Sequence, residues 1–251
     1  MPDGTLIAVA HGSADPRAQA AIAELMTVTA DRAAARGMNV TDLRAAYLGH
    51  ARPSLGQVMG TLRPGDRVTV LPLLLTAAYH SKSDIPRVLA RFPGLQVGYG
   101  ATLGPHPLLL RALERRLAET GAPMAPRAQT GVVLAAAGSS DPGANAAIAR
   151  LAEQWQSRGG WFAVRPAFAS AACPAAASPA TAVTGLLRDG GRRVLVASYL
   201  IAPGRFADRI RDCSLPAGAA GVGAALGAAP EVADVLLDRY AEVCRSHAAA
   251  A

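Results

Sequence analysis

Short apolar runs alternate with longer amphipathic segments along the whole chain. Eight of these runs have the length and aliphatic composition of buried strands, and they fall into two sets of four. The first set lies at 6–10, 40–48, 67–74 and 95–100, and the second at 131–136, 161–168, 193–200 and 219–225. Because the intervening segments are long enough for crossover helices, the pattern predicts an α/β protein with parallel sheets.

The clearest helix is predicted at 16–36, directly after the first strand. Asp15 is its expected N-cap and Pro16 its first residue. Its buried face is defined by positions that recur every three or four residues. These are Ile22, Leu25, Met26, Thr29 and Ala33.

The second half of the chain repeats the first. The stretch 6–16 returns at 132–142, where Gly-Ser is again followed by Asp-Pro. Pro123 and Pro126 interrupt any helix between the halves. We therefore predict two tandem lobes, each with a four-stranded parallel sheet flanked by helices, at 1–122 and 129–251, joined by a linker at 123–128.

The histidines distinguish the two lobes. Each of four predicted strands in the first lobe is followed by one: His11, His50, His80 and His106. The matched positions in the second lobe are Ala137, Ala171, Phe206 and Ala229. Ligands of open α/β sheets bind beyond the carboxyl ends of the strands. Only the first lobe is therefore expected to hold a metal ion or move protons near neutral pH.

These histidines also have structural interpretations, which the sequence leaves open. His11 lies in a turn made tight by Gly12 and can cap that turn, whereas His80 can be an exposed loop residue. For His50 and His106, a surface or capping role fits as well as ligation. Two neutral imidazoles from separate loops would bind cobalt, nickel or iron with open coordination positions and would accept protons from a ligand.

Composition narrows the classes of partner. The formal net charge is +7, and Lys82 is the one lysine among 25 basic residues. Arginine binds carboxylates through a planar fork, which favours a polyanionic ligand. The sequence contains neither a basic run nor an aromatic-studded strand, the features that would indicate a nucleic-acid partner. Three cysteines without CxxC spacing and no membrane-length apolar run indicate a cytoplasmic protein without a membrane partner.

Three segments together resemble the sirohydrochlorin chelatase family of the CbiX and SirB type. They are Ala10-His11-Gly12-Ser13 with Asp15-Pro16, Ala46-Tyr47-Leu48 before Pro53-Ser54-Leu55, and Tyr79-His80 with Asp84-Ile85-Pro86. The resemblance spans nearly the whole chain. It implies two flavodoxin-like lobes facing a central cleft, and ATP-independent insertion of cobalt or iron into sirohydrochlorin or a related tetrapyrrole, for cobalamin or sirohaem synthesis.

The resemblance also implies roles for individual residues. His11 and His80 would be the catalytic and metal-binding residues. Contacts to the polycarboxylate tetrapyrrole are expected from Ser13, Tyr47, His50 and Tyr79. The second lobe's counterpart of the His80 loop carries three arginines that would bind the carboxylates or else form an ordinary solvated helix face: Arg205, Arg209 and Arg211. The metal, Co²⁺ or Fe²⁺ with Ni²⁺ as a further candidate, would be a substrate, no nucleotide would be required, and the chain would be a monomer.

One departure from the family pattern concerns metal handling. Gly49 stands where the family commonly has a glutamate, and His50 is expected to take over part of that role. The missing carboxylate favours, as an alternative, a carrier of metal or tetrapyrrole without turnover. A histidine-phosphatase-like hydrolase is a further alternative, although Ala10 stands where those enzymes have an arginine.

Overall fold

The computed structural model describes residues 4–77, 83–122, 125–170 and 178–249, with side chains to residue 246. Its first half contains β1 (Gly4–Ala10), α1 (Pro16–Ala35), β2 (Val40–Tyr47), α2 (Leu55–Met59), β3 (Arg67–Pro72), α3 (Ile85–Leu89), β4 (Gln96–Tyr99) and α4 (Pro107–Ala118). Its second half contains β5 (Thr130–Ala136), α5 (Pro142–Gly159), β6 (Ala163–Phe168), α6 (Pro179–Arg188), β7 (Arg193–Tyr199), α7 (Arg205–Ser214), β8 (Gly221–Val222) and α8 (Pro230–Ala249).

The strands form two parallel sheets with the same topology. The strand orders are β2-β1-β3-β4 and β6-β5-β7-β8, which is the order at the start of a flavodoxin-like sheet. β1 and β5 are inner strands, and residues 6–9 and 132–135 are fully buried. The predicted fold class, two four-stranded parallel sheets flanked by helices, is confirmed. No helix in the described part of the chain has the length and hydropathy needed to cross a bilayer.

The edge strands are shorter than the sequence predicts. β8 contains two residues, although an apolar run extends over 219–225. Gly223 still donates its N–H to Val196 at 2.8 Å, but a Cβ at this position would lie 3.3 Å from the backbone of Arg116 on α4. The run therefore leaves the ladder where it passes close to a helix.

Packing divides the chain differently from its sequence repeat. The first compact unit combines 1–108 with 227–251, and the second is 109–226. In the first unit α8 packs on α1, β3 and β4. In the second unit Glu114 of α4 accepts a hydrogen bond from Trp155 Nε1 at 3.0 Å. The bounds 1–122 and 129–251 therefore describe the repeat, whereas each packed unit is completed by the last helix of the other repeat.

A buried carboxylate attaches α8 to the first unit. Asp234 is 8% exposed and pairs with Arg32 at 2.5 Å and Arg36 at 2.7 Å, both on α1. Next to it, Val232, Leu236 and Leu237 are fully buried. α8 is thus part of the core of this unit.

Candidate active site

The carboxyl ends of β1, β2 and β3 lie side by side at one edge of the first sheet. β1 is hydrogen-bonded to both other strands, so the segment after β1 begins between the carboxyl ends of β2 and β3. His11 directly follows β1, and His50 comes three residues after β2. His80 and Tyr79 lie outside the described residues, so their predicted roles stay predictions.

Two hydrogen bonds extend the β1–β2 ladder past the ends of the strands. Leu48 donates its N–H to Ala10 at 3.1 Å, and Gly49 donates its N–H to His11 at 3.1 Å. The backbone of His11 is therefore joined to the residue that precedes His50. Because ladder hydrogen bonds fix the relative position of two chains, both histidines project from a rigid support.

Gly12 permits this close approach. Its φ is +93°, and a Cβ at this position would lie 1.7 Å from the carbonyl oxygen of Gly49. Any side chain would therefore collide with backbone and would also adopt a conformation that L residues rarely tolerate. Glycine is the one residue that fits here.

The imidazoles of His11 and His50 meet at this edge. Their ring centroids are 6.5 Å apart with an interplanar angle of 54°, and both residues are exposed. His50 has φ +58° and is the one non-glycine residue with positive φ within the described ranges. A non-glycine residue in this region is strained by about 1–3 kcal/mol, and such strain is concentrated at functional sites.

The neighbouring side chains build the turn. Ser13 Oγ accepts a hydrogen bond from the Asp15 N–H at 3.1 Å, and Asp15 accepts one from the Arg17 N–H at 2.9 Å, which caps α1. Tyr47 is 6% exposed, and burial raises the pKa of its hydroxyl. Tyr47 is therefore a neutral phenol beneath the loop, and the predicted substrate contacts of Ser13 and Tyr47 stay predictions.

His106 has the capping role that the sequence left open. Its Nδ1 accepts a hydrogen bond from the Leu108 N–H at 3.2 Å, which caps the start of α4. Burial lowers the pKa of His106, and Arg239 lowers it further, whereas Asp238 and Glu242 act in the opposite direction. The neutral imidazole is therefore the form that fits this cap.

The second unit reproduces the turn without the histidine. Gly138 has φ +86°, Ser139 Oγ accepts from the Asp141 N–H at 3.1 Å, and Asp141 caps α5. Ala137 accepts the Ser170 N–H at 2.8 Å, as His11 accepts the Gly49 N–H. The backbone of the site is thus present twice, while the imidazole is present once.

The predicted carboxylate-binding arginines differ in their surroundings. Arg205 and Arg209 are exposed and lie four positions apart on α7, so they share one face of that helix. Arg211 instead pairs with Asp212 at 3.0 Å and with Asp208 at 3.5 Å. Arg205 and Arg209 are therefore the better candidates for binding an acidic ligand.

A complete metal-binding cluster is not found among the described side chains. No group of three or more histidine, cysteine, aspartate or glutamate residues within these ranges is arranged to hold an ion. The His11–His50 pair supplies two nitrogen ligands. The pairing and the positive φ of His50 were not evident from the sequence, because both depend on how the loops after β1 and β2 fold together.

These features define a duplicated α/β protein with imidazoles at the ligand-binding edge of one sheet. The family model described as CbiX matches residues 5–120 and again residues 131–243. The chain belongs to the CbiX family, and the resemblance inferred from its motifs is confirmed. The two matches also correspond to the two repeats identified in the sequence.

Curated relatives cover part of the chain. A sirohydrochlorin cobaltochelatase from Priestia megaterium is 25% identical over 177 residues, which are 68% of this chain and 57% of the relative. A sirohydrochlorin ferrochelatase from Bacillus subtilis (strain 168) is 30% identical over 147 residues, which are 57% of this chain and 54% of the relative. The matched regions thus span little more than half the length of these relatives.

A solved structure is similar over nearly the whole chain. The structure of SirB from Bacillus subtilis with Fe³⁺ has a TM-score of 0.80 and 25% sequence identity, and the match covers 98% of both chains. The likeness therefore extends over both repeats of the fold.

Proposed function

We propose that this protein inserts a divalent metal ion, cobalt or iron, into sirohydrochlorin or a related tetrapyrrole without using a nucleotide. The observation that carries the proposal is the pair of exposed imidazoles, His11 and His50, 6.5 Å apart at the carboxyl edge of the first sheet. The proposal is supported by membership of the CbiX family in both repeats. It also agrees with the names of the cobalt- and iron-inserting relatives.

The reaction exchanges two pyrrole protons for one divalent ion. Each pyrrole N–H that binds the metal must lose its proton, so a group that accepts protons near neutral pH is required close to the ring. Histidine has this property and is also a good ligand for cobalt and iron. His11 and His80 are the proposed catalytic and metal-binding residues, and Ser13, Tyr47, His50 and Tyr79 are proposed to contact the macrocycle.

The acidic substituents of the substrate are proposed to bind arginine. Arg205 and Arg209 present two guanidinium groups on one face of α7, and arginine forms bidentate hydrogen bonds with carboxylates. Arg205→Ala and Arg209→Ala should raise the KM for sirohydrochlorin. Arg211→Ala is the matched control, because Arg211 is already paired with acidic residues of its own helix.

An insertion assay with a catalytic amount of protein tests the proposal. The absorbance change of sirohydrochlorin would be followed with Co²⁺, Fe²⁺ and Ni²⁺ in parallel. His11→Ala should lower the rate by about 100-fold or more, whereas His106→Asn should keep it because Asn preserves a helix cap. A single equivalent of product would instead indicate a carrier. Undiminished insertion by His11→Ala would overturn the role of His11.

A further inference from the structure

The arrangement of His50 assigns it a more specific role than substrate contact. His11 and His50 are carried by two backbone segments that are hydrogen-bonded to each other through His11 and Gly49. Gly12 lets these segments approach so closely that a single added Cβ would meet the Gly49 carbonyl at 1.7 Å. Their two side chains are thus supported by the same short piece of ladder.

We propose that His11 and His50 together bind the divalent ion and form its entry site at the β1–β2 edge. The inference deepens the proposed function and rests on it for the fate of the ion, because it names His50 as a metal ligand. It does not depend on the position of His80. Two imidazoles fill two coordination positions, so the remaining positions would be taken by water or by the nitrogens of the substrate.

The distance between the rings is compatible with a shared ion. A metal–imidazole bond is about 2.1 Å long, so two rings bound tetrahedrally to one ion have centroids roughly 5 Å apart. The observed 6.5 Å therefore requires an approach of about 1.5 Å. Rotation of two exposed side chains between neighbouring torsion angles supplies a movement of this size without any change in the backbone.

The backbone at His50 is consistent with a ligand role. A turn that requires φ +58° is normally occupied by glycine or asparagine. Here an imidazole is held in that conformation, with its ring within contact range of the ring of His11. Replacement of His50 by asparagine therefore removes the ligand while keeping a residue that tolerates the backbone.

Co²⁺ titration of the full chain without tetrapyrrole tests the inference. Binding would be measured by calorimetry and by the visible absorption of Co²⁺, whose intensity and position depend on the number of nitrogen ligands. His50→Asn should weaken Co²⁺ binding by about tenfold or more and change this spectrum. His106→Asn, at a histidine that caps α4, should leave both unchanged and is the matched control.

A double variant tests whether both rings hold the same ion. If they do, His11→Ala and His50→Asn combined should weaken Co²⁺ binding by much less than the product of their separate effects. Multiplicative effects would mean separate sites and would overturn the inference. Unchanged Co²⁺ binding by His50→Asn, or no measurable binding by the parent chain, would overturn it as well.

Gly49 provides a test in the opposite direction. A Cβ at this position meets no atom within 4 Å, and its φ is not in the left-handed region. Gly49→Glu should therefore be accommodated and should tighten Co²⁺ binding by adding a carboxylate next to His50, whereas Gly49→Gln should have a smaller effect. Binding that Gly49→Glu leaves unchanged would show that the ion does not lie at this edge.

The outcomes separate this inference from the proposed function. Co²⁺ binding that requires His50, in a protein that never metallates sirohydrochlorin, would support the site and contradict the chelatase proposal. Efficient insertion by His50→Asn, together with unchanged Co²⁺ binding, would support the chelatase and exclude His50 as a ligand.

Discussion

In the packed structure α8 belongs to the first unit and α4 to the second, so each repeat gives its last helix to the other unit. Two core substitutions can test this arrangement. Leu236 on α8 and Leu113 on α4 are both fully buried, but Leu236 belongs to the first packed unit and Leu113 to the second. The two tryptophans of the chain, Trp155 and Trp161, both lie in the second unit. Tryptophan fluorescence therefore reports on the second unit alone, whereas far-ultraviolet circular dichroism reports on both.

The expected size of the effect follows from the complete burial of both side chains. Truncation of a buried leucine to alanine costs about 2–5 kcal/mol, and the cost is high where rigid surroundings leave a cavity. For a domain of this size such a loss lowers the melting temperature by roughly 10 °C. Leu113→Ala should lower the fluorescence transition by this amount. Leu236→Ala should leave it in place and lower a transition seen by circular dichroism.

The sequence repeat makes the opposite prediction. If 1–122 and 129–251 were the folding units, Leu236→Ala would lower the fluorescence transition and Leu113→Ala would not. That result would refute the assignment of α8 to the first unit. A single transition, lowered equally by both substitutions in both signals, would contradict the division into two separately stable units.

Three further predictions concern the turn, the helix cap and α8. Gly12→Ala should lower the free energy of unfolding, measured by urea denaturation, by at least about 2 kcal/mol, because its Cβ would collide with Gly49. Gly56→Ala on α2 should not have this effect, because a Cβ there meets no atom within 4 Å. Burial lowers the pKa of His106. The contribution of the neutral His106 cap to stability should therefore be complete above about pH 6.5 and decrease as the pH falls through the lowered pKa. In thermal melts, His106→Asn should remove this pH dependence. Asp234→Ala should cost about 2–3 kcal/mol in the circular dichroism transition, because two arginines lose their buried partner.

Local patterns were sufficient to predict most of the secondary structure. Strands were evident from short aliphatic runs, and the start of α1 was evident from Asp15 and Pro16, whose effects act within one helical turn. The packing of α4 and α8 was not evident in this way. The apolar face of a helix shows that the helix must be buried, but it does not show which sheet the helix covers. The repeat suggested that each helix packs on the sheet of its own repeat.

Only part of the candidate site could be predicted from the sequence, and the reasons are similar. The position of His11 after the first strand follows from topology alone, because parallel strands end at one edge. The pairing of His11 with His50 depends instead on a left-handed residue and on the contact of Gly12 with Gly49, neither of which follows from local preference. Arg211 differs from Arg205 and Arg209 because two acidic residues at short spacing pair with it, and this spacing is visible in the sequence.

The second unit provides a control for the interpretation of histidine substitutions. Ala137 occupies the position of His11 in a turn with the same glycine conformation, the same serine hydrogen bond and the same aspartate cap. This turn therefore forms without an imidazole, and its stability depends on the glycine, the serine and the aspartate. His11→Ala recreates in the first unit the Ala-Ala-Gly-Ser stretch that the second unit already folds at 136–139. Since the backbone does not need the ring, a loss of metal binding or insertion in His11→Ala reports on chemistry and not on misfolding.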